Sequence, residues 1–173
     1  MLMKRILLLL LSLAALSGQA PEAAARTVPE QRLVNIVNGF RGTEGFEVVK
    51  VGRLGVWLMR SVAGMSEAGA DPEFRKAVKV MNGVRRVVVV EYEDGPERER
   101  RLFNDRISSA LRNSDLLMSV NDGGSSVSIY GTTDERTGDM RDVVIFTPDD
   151  CALVCVFGRI SMEAVAELLK DNM

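Results

Sequence analysis

Two runs of alternating apolar and polar residues flank the tetrapeptide NDGG at residues 121–124. The apolar positions recur at every second residue: Leu116, Met118, Val120, Val127 and Ile129. This alternation indicates two half-buried strands, and Asp-Gly and Gly-Gly supply the positive φ angles of a tight hairpin. A calcium loop needs oxygen ligands at alternate positions with a distal carboxylate, whereas Asn121 and Asp122 are adjacent. The segment therefore predicts a hairpin rather than a metal site.

The rest of the chain divides into strand-like and helix-like segments. Apolar runs of strand length cover residues 46–51, 84–92, 142–147 and 152–157, and the second contains VVVV at 87–90. Apolar residues recur at helical spacing from Pro29, Leu54, Asp71, Pro96 and Ser161 onward. The order is helix, strand, helices, strand, helix, four antiparallel strands, helix. It predicts a two-layer α+β domain with a mixed, mostly antiparallel sheet of about six strands and helices packed on one face.

Residues 1–25 have the order of a secretory signal peptide: a basic start, an apolar stretch at 6–16 and a tail of small residues. The apolar stretch rises about 16 Å as a helix, too short for a stable membrane span. Cleavage after Ala25 fits better than after Ala20, which Pro21 follows. Residues 26–173 then form a single α+β domain. Gln19 stands where a lipoprotein would carry its cysteine, so we expect an exported, unlipidated periplasmic or envelope-associated protein.

The composition excludes several function classes. The chain has no histidine and a net charge of −2. Histidine is the commonest general base and metal ligand, and a mildly acidic chain has no general attraction to nucleic acid. We therefore expect a non-enzymatic protein without cofactor or metal that does not bind nucleic acid. No residue qualifies as catalytic, cofactor-binding or metal-ligating.

The two cysteines, Cys151 and Cys155, are four residues apart. Along a strand this separation spans roughly 13 Å, beyond the distance at which two cysteines of a disulfide lie. The spacing also differs from the C-x-x-C redox motif. We expect buried free thiols, while an intermolecular bridge, or pairing within a bend, stays open.

Three charged groups are weak candidates for a site. Carboxylates that would serve an enzyme are Glu91, Glu93, Asp94, Asp149 and Asp150, but these types are ordinary at strand ends and turns. Arginines along the predicted helix, at positions 98, 100, 101, 106 and 112, would bind an anion, alone or with Arg85 and Arg86. Acidic residues interleave with them, which favours a salt-bridged solvated face. The segment TTDERTGD at 132–139, with Asp134 and Asp139, predicts a loop.

Several of these segments resemble a family of exported proteins of Gram-negative bacteria, catalogued as domain of unknown function 4252. The resemblance covers about Val34 to Asp171 and is carried by Leu117, Met118, Val120, Asp122, Gly123, Ile129, Tyr130, Gly158, Ile160 and Ser161. It implies an envelope protein with a signal peptide, an α+β fold and no established activity. Many relatives look like lipoproteins, a pattern from which Gln19 departs.

Function is then expected to lie in binding. The favoured hypothesis is a small periplasmic interaction module whose partner is another envelope protein, with a homodimer as a further option. The alternatives are a binder of a small anionic ligand on the arginine-rich helix and a carboxylate-based enzyme. Exposed apolar surface on the sheet face away from the helices would favour dimerisation.

Overall fold

The computed structural model describes residues 27–52, 80, 82–122 and 125–163. The secondary structure of these residues is two helices and six strands: α1 (Glu30–Phe40), β1 (Glu47–Val51), β2 (Gly83–Glu91), α2 (Glu97–Leu111), β3 (Leu116–Asp122), β4 (Ser125–Thr133), β5 (Met140–Thr147) and β6 (Ala152–Ile160). The predicted signal peptide, the helical segments predicted between residues 54 and 79, and most of the last predicted helix lie outside the described residues.

The six strands form one sheet in the order β1-β2-β6-β5-β4-β3. All five pairings are antiparallel, and the sheet with its two helices confirms the predicted α+β class. β2 and β6 bring the VVVV run opposite another apolar run, for example Val88 opposite Cys155. Strands β1 and β3 are left at the two edges.

Both helices pack on one face of the sheet through an aromatic cluster. Phe46 stacks on Tyr92 with the ring centres 5.4 Å apart, and Phe103 of α2 meets Tyr92 edge-on at 4.7 Å. Phe40, the last residue of α1, contacts both Phe46 and Phe103. Such offset and edge-on contacts add to the hydrophobic gain from burying the rings. The helix face therefore holds the larger core.

The second face of the sheet is also apolar. Its buried residues are Val84, Ile129, Met140, Val143, Ile145, Val154 and Ile160, and Val80 and Met162 are among the partly buried side chains that pack against them. The middle of this face is therefore buried among the described residues. The only large apolar side chains that are exposed among the described residues are Val49, Leu102, Leu116 and Val120.

A line of register shifts crosses the sheet. The shifts occur next to Arg85 in β2, Asp142 in β5, Gly131 in β4 and Leu117 in β3. Bulges of this kind bend strands and redirect side chains. Asp142 has a φ of 52°, a left-handed conformation that a non-glycine residue seldom adopts. Its Oδ1 accepts a hydrogen bond of 2.8 Å from the Gly158 N–H, which stabilises this conformation.

Candidate functional site

The outer edge of β3 carries two of the four exposed large apolar side chains among the described residues. Leu116 is 53% exposed and Val120 is 44% exposed, although both belong to a regular strand. No charged residue occurs between positions 116 and 121. In the part of the sheet that the structure describes, β3 pairs only with β4, which leaves its outer backbone groups available for another strand.

The register shift at Leu117 distributes the exposed apolar side chains over both faces. Leu116 pairs with Tyr130, which packs on the helix-face core. Val120 pairs with Val127, which packs on the second core. Because paired residues project to the same face, Leu116 lies on the helix face and Val120 on the second face. A strand added beside β3 would thus meet an apolar side chain on each face.

The opposite edge, β1, is protected by charge. Lys50 of β1 donates a hydrogen bond from Nζ to Oδ1 of Asn38 in α1. Burial, followed by the positive charges of Arg41 and Arg86, lowers the pKa of Lys50. A lysine on an edge strand opposes pairing with a further strand, and β1 also carries the exposed Glu47. The two edges therefore differ in their capacity to accept a strand.

The turn end of the β3–β4 hairpin is fixed to the neighbouring β5–β6 turn. Ser126 donates to Oδ2 of Asp149 from its hydroxyl at 2.7 Å and from its backbone N–H at 2.9 Å. Ser125 donates to Oδ2 of Asp150 at 2.7 Å. The hydroxyl bond and then the backbone bond lower the pKa of Asp149. These contacts hold the edge strand in place before any partner binds.

Two of the carboxylates considered for catalysis, Asp149 and Asp150, lie in the turn between β5 and β6. Both aspartates accept hydrogen bonds from serines, and these bonds lower the pKa of Asp149, whereas a general acid needs a raised pKa. Glu91, Glu93 and Asp94 are exposed at the end of β2 and in the turn that follows. Within the described residues no three His, Cys, Asp or Glu side chains come together as a metal site.

The arginines of α2 have separate contacts. Arg101 pairs with Glu97 at 3.3 Å, as expected for a salt-bridged helix face. Arg106 lies over the Phe40 ring, and Arg100 contacts the sulfur of Cys151 at 3.6 Å. Arg85 and Arg86 instead pair with Glu30 at the start of α1. Among the described residues, the ion pairs of Arg85 and Arg86 are with α1 and β5 and not with α2.

Both cysteines are free and buried in the helix-face core, as the sequence predicts. Cys151 lies in the turn before β6 with a φ of 50°, and Cys155 lies within β6. Burial strongly raises the pKa of the Cys155 thiol, which opposes formation of the reactive thiolate.

One group of residues was missed by the sequence analysis. Asp139, predicted as part of a loop, is buried, and its Oδ2 pairs with Nε of Arg159 at 2.7 Å. Arg159 is also the direct cross-strand neighbour of Arg141. Arg141 and Arg159 lie just outside the predicted strands 142–147 and 152–157, and only the pairing of β5 with β6 brings them together.

None of the helices among the described residues has the length and apolar character of a membrane span. No curated protein and no solved structure is significantly similar to the chain. The family model described as Domain of unknown function (DUF4252) matches residues 40–168, which include the hairpin, the β3 edge and the sheet strands β1 to β6. The chain therefore belongs to the DUF4252 family.

Proposed function

We propose that the chain is exported to the periplasm and acts there as a non-enzymatic module that binds another envelope protein along the outer edge of β3. The observation that carries this proposal is the uncharged β3 edge with its two exposed apolar side chains, Leu116 and Val120. An extended segment of a partner would add to the sheet through backbone hydrogen bonds, and its side chains would provide the specificity.

The geometry of the edge supports strand addition over docking on a flat surface. β3 is seven residues long and is tied through β4 to the Asp149–Asp150 turn, so little order must be gained on binding. The partner segment would carry apolar side chains on both of its faces, since Leu116 and Val120 lie on opposite faces of the sheet. Edge strands with these features are usually shielded in proteins that do not pair through them.

The partner is tested by cross-linking and capture from intact envelopes with the tagged full-length chain. We compare wild type with the double variant Leu116→Lys/Val120→Lys, which places charge on the β3 edge. Val49→Lys is the matched control, because Val49 is a similarly exposed apolar residue on the opposite edge strand. Unchanged thermal unfolding establishes that the variants fold.

We expect wild type and Val49→Lys to capture the same protein, and the double variant to capture it at least tenfold less. Equal capture by all three chains, or equal loss in Val49→Lys, would contradict binding at β3. A cross-linked product that contains only a second copy of the chain would contradict the proposal of a different envelope protein.

Export is tested on the same cells by fractionation and intact-mass measurement. The order of basic, apolar and small residues in 1–25 supports cleavage after Ala25. We expect a periplasmic species that begins at Arg26 and carries no lipid. An uncleaved or acylated chain in the membrane fraction would contradict this part of the proposal.

A further inference from the structure

A shallow cavity of about 290 Å³ lies where the line of register shifts crosses strands β2, β6 and β5. The residues that line it are Gly83, Arg85, Arg141, Asp142, Gly158 and Arg159. They come from three separate parts of the sequence and meet only because β6 lies between β2 and β5. The cavity does not include β3, since β4 lies between β5 and that edge.

The backbone of the cavity is closely packed. A Cβ atom on Gly158 would lie 2.4 Å from the carbonyl oxygen of Gly83, and a Cβ on Gly83 would lie 2.4 Å from that of Arg159. Gly158 also has a φ of 120°, which an L side chain rarely adopts. The glycines thus permit a close backbone packing in which the neighbouring arginines line one cavity.

The arginines carry charge that the protein itself only partly compensates. Arg141 and Arg159 lie directly opposite each other in the β5–β6 pair, and like charges in such positions destabilise a sheet. The charge of Arg159 is compensated by its ion pair with Asp139. Arg141 has no ion pair with any carboxylate among the described residues. An anion between the two guanidinium groups would remove this repulsion.

The existing ion pairs leave donors available in suitable positions. Asp139 binds Arg159 through Nε, and the Arg159 side chain is 58% exposed. Arg85 uses one terminal nitrogen, Nη2, for both Glu30 and Asp142. Each guanidinium has five N–H donors, so all three arginines retain several. Their planar forks match the oxygens of phosphate-type anions.

We propose that this cavity binds a small oxyanion of the phosphate type, held between Arg141 and Arg159 with Arg85 at its side. The Asp142 carboxylate lines the same cavity and limits its affinity for an anion. The phosphate group belongs either to a free anion or to the head group of an anionic lipid. The site is independent of the β3 edge, and its test does not depend on the proposed partner.

The test titrates the purified full-length chain with inorganic phosphate by calorimetry, at low ionic strength. The variants are Arg141→Gln, Asp142→Asn and, as a matched control, Arg101→Gln, an exposed arginine on α2. We expect Arg141→Gln to weaken phosphate binding at least tenfold, Asp142→Asn to strengthen it severalfold, and Arg101→Gln to leave it unchanged. Each variant is first compared with wild type by thermal unfolding.

A second arm separates the two sources of the phosphate group. Phosphatidylcholine vesicles with and without phosphatidic acid are sedimented with wild type and Arg141→Gln. Binding of phosphatidic acid vesicles that Arg141→Gln abolishes supports a lipid head group, and free phosphate binding without vesicle binding supports a free anion. The proposal is overturned if neither probe binds, or if Arg141→Gln and Arg101→Gln bind as wild type does.

Discussion

Asp142 is the residue at which backbone conformation and charge are most tightly combined. Its left-handed φ occurs in the register shift of β5, and its carboxylate accepts from Gly158 and contacts Arg85 at 3.5 Å. Aspartate and asparagine tolerate this conformation better than other side chains with a Cβ. The shape of the sheet at the arginine cavity thus depends on one side chain.

Replacing Asp142 tests this role. Asp142→Ala should lower the free energy of unfolding by about 2 kcal/mol, because the Gly158 N–H loses its acceptor and alanine disfavours the left-handed backbone. Asp142→Asn keeps an acceptor oxygen and should cost less than about 1 kcal/mol. Urea denaturation of the two variants measures both values. Equal losses of stability in the two variants would show that the acceptor oxygen of Asp142 does not stabilise the register shift.

Asp149 gives a pH-dependent prediction. Its pKa is lower in the folded chain than in the unfolded chain, so its contribution to stability is complete above the unfolded value of about 4 and is lost as the pH falls through the folded value. The stability difference between wild type and Asp149→Asn should therefore be constant near neutral pH and shrink below about pH 4. Urea denaturation at a series of pH values measures it.

Ser126→Ala provides the control, since Ser126 donates both hydrogen bonds that lower the pKa of Asp149. In the Ser126→Ala background the backbone bond remains, so the pH-dependent difference should be reduced but not absent. A difference that is unchanged by Ser126→Ala would contradict the assigned cause.

At the scale of the elements, α2 is attached to the sheet by both packing and one short hydrogen bond. Phe103, Ile107, Ala110 and Leu111 are buried against the sheet face. The Tyr92 hydroxyl, at the end of β2, donates to Oδ1 of Asn104 in α2 at 2.6 Å. Burial raises the pKa of the Tyr92 phenol, which keeps it protonated as the donor.

Tyr92→Phe should lower the free energy of unfolding by about 1 kcal/mol, because the half-buried Asn104 loses its donor while the ring packing is retained. Tyr130→Phe is the matched control, as the Tyr130 hydroxyl has no hydrogen bond among the described residues, and it should change stability by less than about 0.5 kcal/mol. Chemical denaturation gives both values. An equal effect of the two changes would mean that the bond does not hold α2.

Most of the described elements could be predicted because their signals are local. Pro29 and Pro96 mark the helix starts, apolar spacing gives their buried faces, and the glycines after Asn121 indicate the hairpin. The register shifts could not be predicted, because they depend on which residues of separate strands lie opposite each other. For the same reason the sequence did not associate Arg141 with Arg159. It predicted the β3 strand but not its position at the sheet edge.

At the scale of the whole molecule, the described sheet has two apolar faces and two different edges. The middle of each face is buried, so the proposed protein contact is assigned to an edge and the proposed anion site to the cavity between β2, β6 and β5. β1 carries Glu47 and Lys50, whereas β3 is uncharged from Leu116 to Asn121. This asymmetry is the physical basis for expecting a partner at one edge only.

The most direct test of that expectation places a photo-reactive amino acid at position 120 in the full-length chain and irradiates intact cells that produce it. The same amino acid at position 49, on the opposite edge, is the control. Our account predicts one discrete adduct with an envelope protein at position 120 and none at position 49. The absence of an adduct at position 120, or the same adduct at both positions, would contradict it.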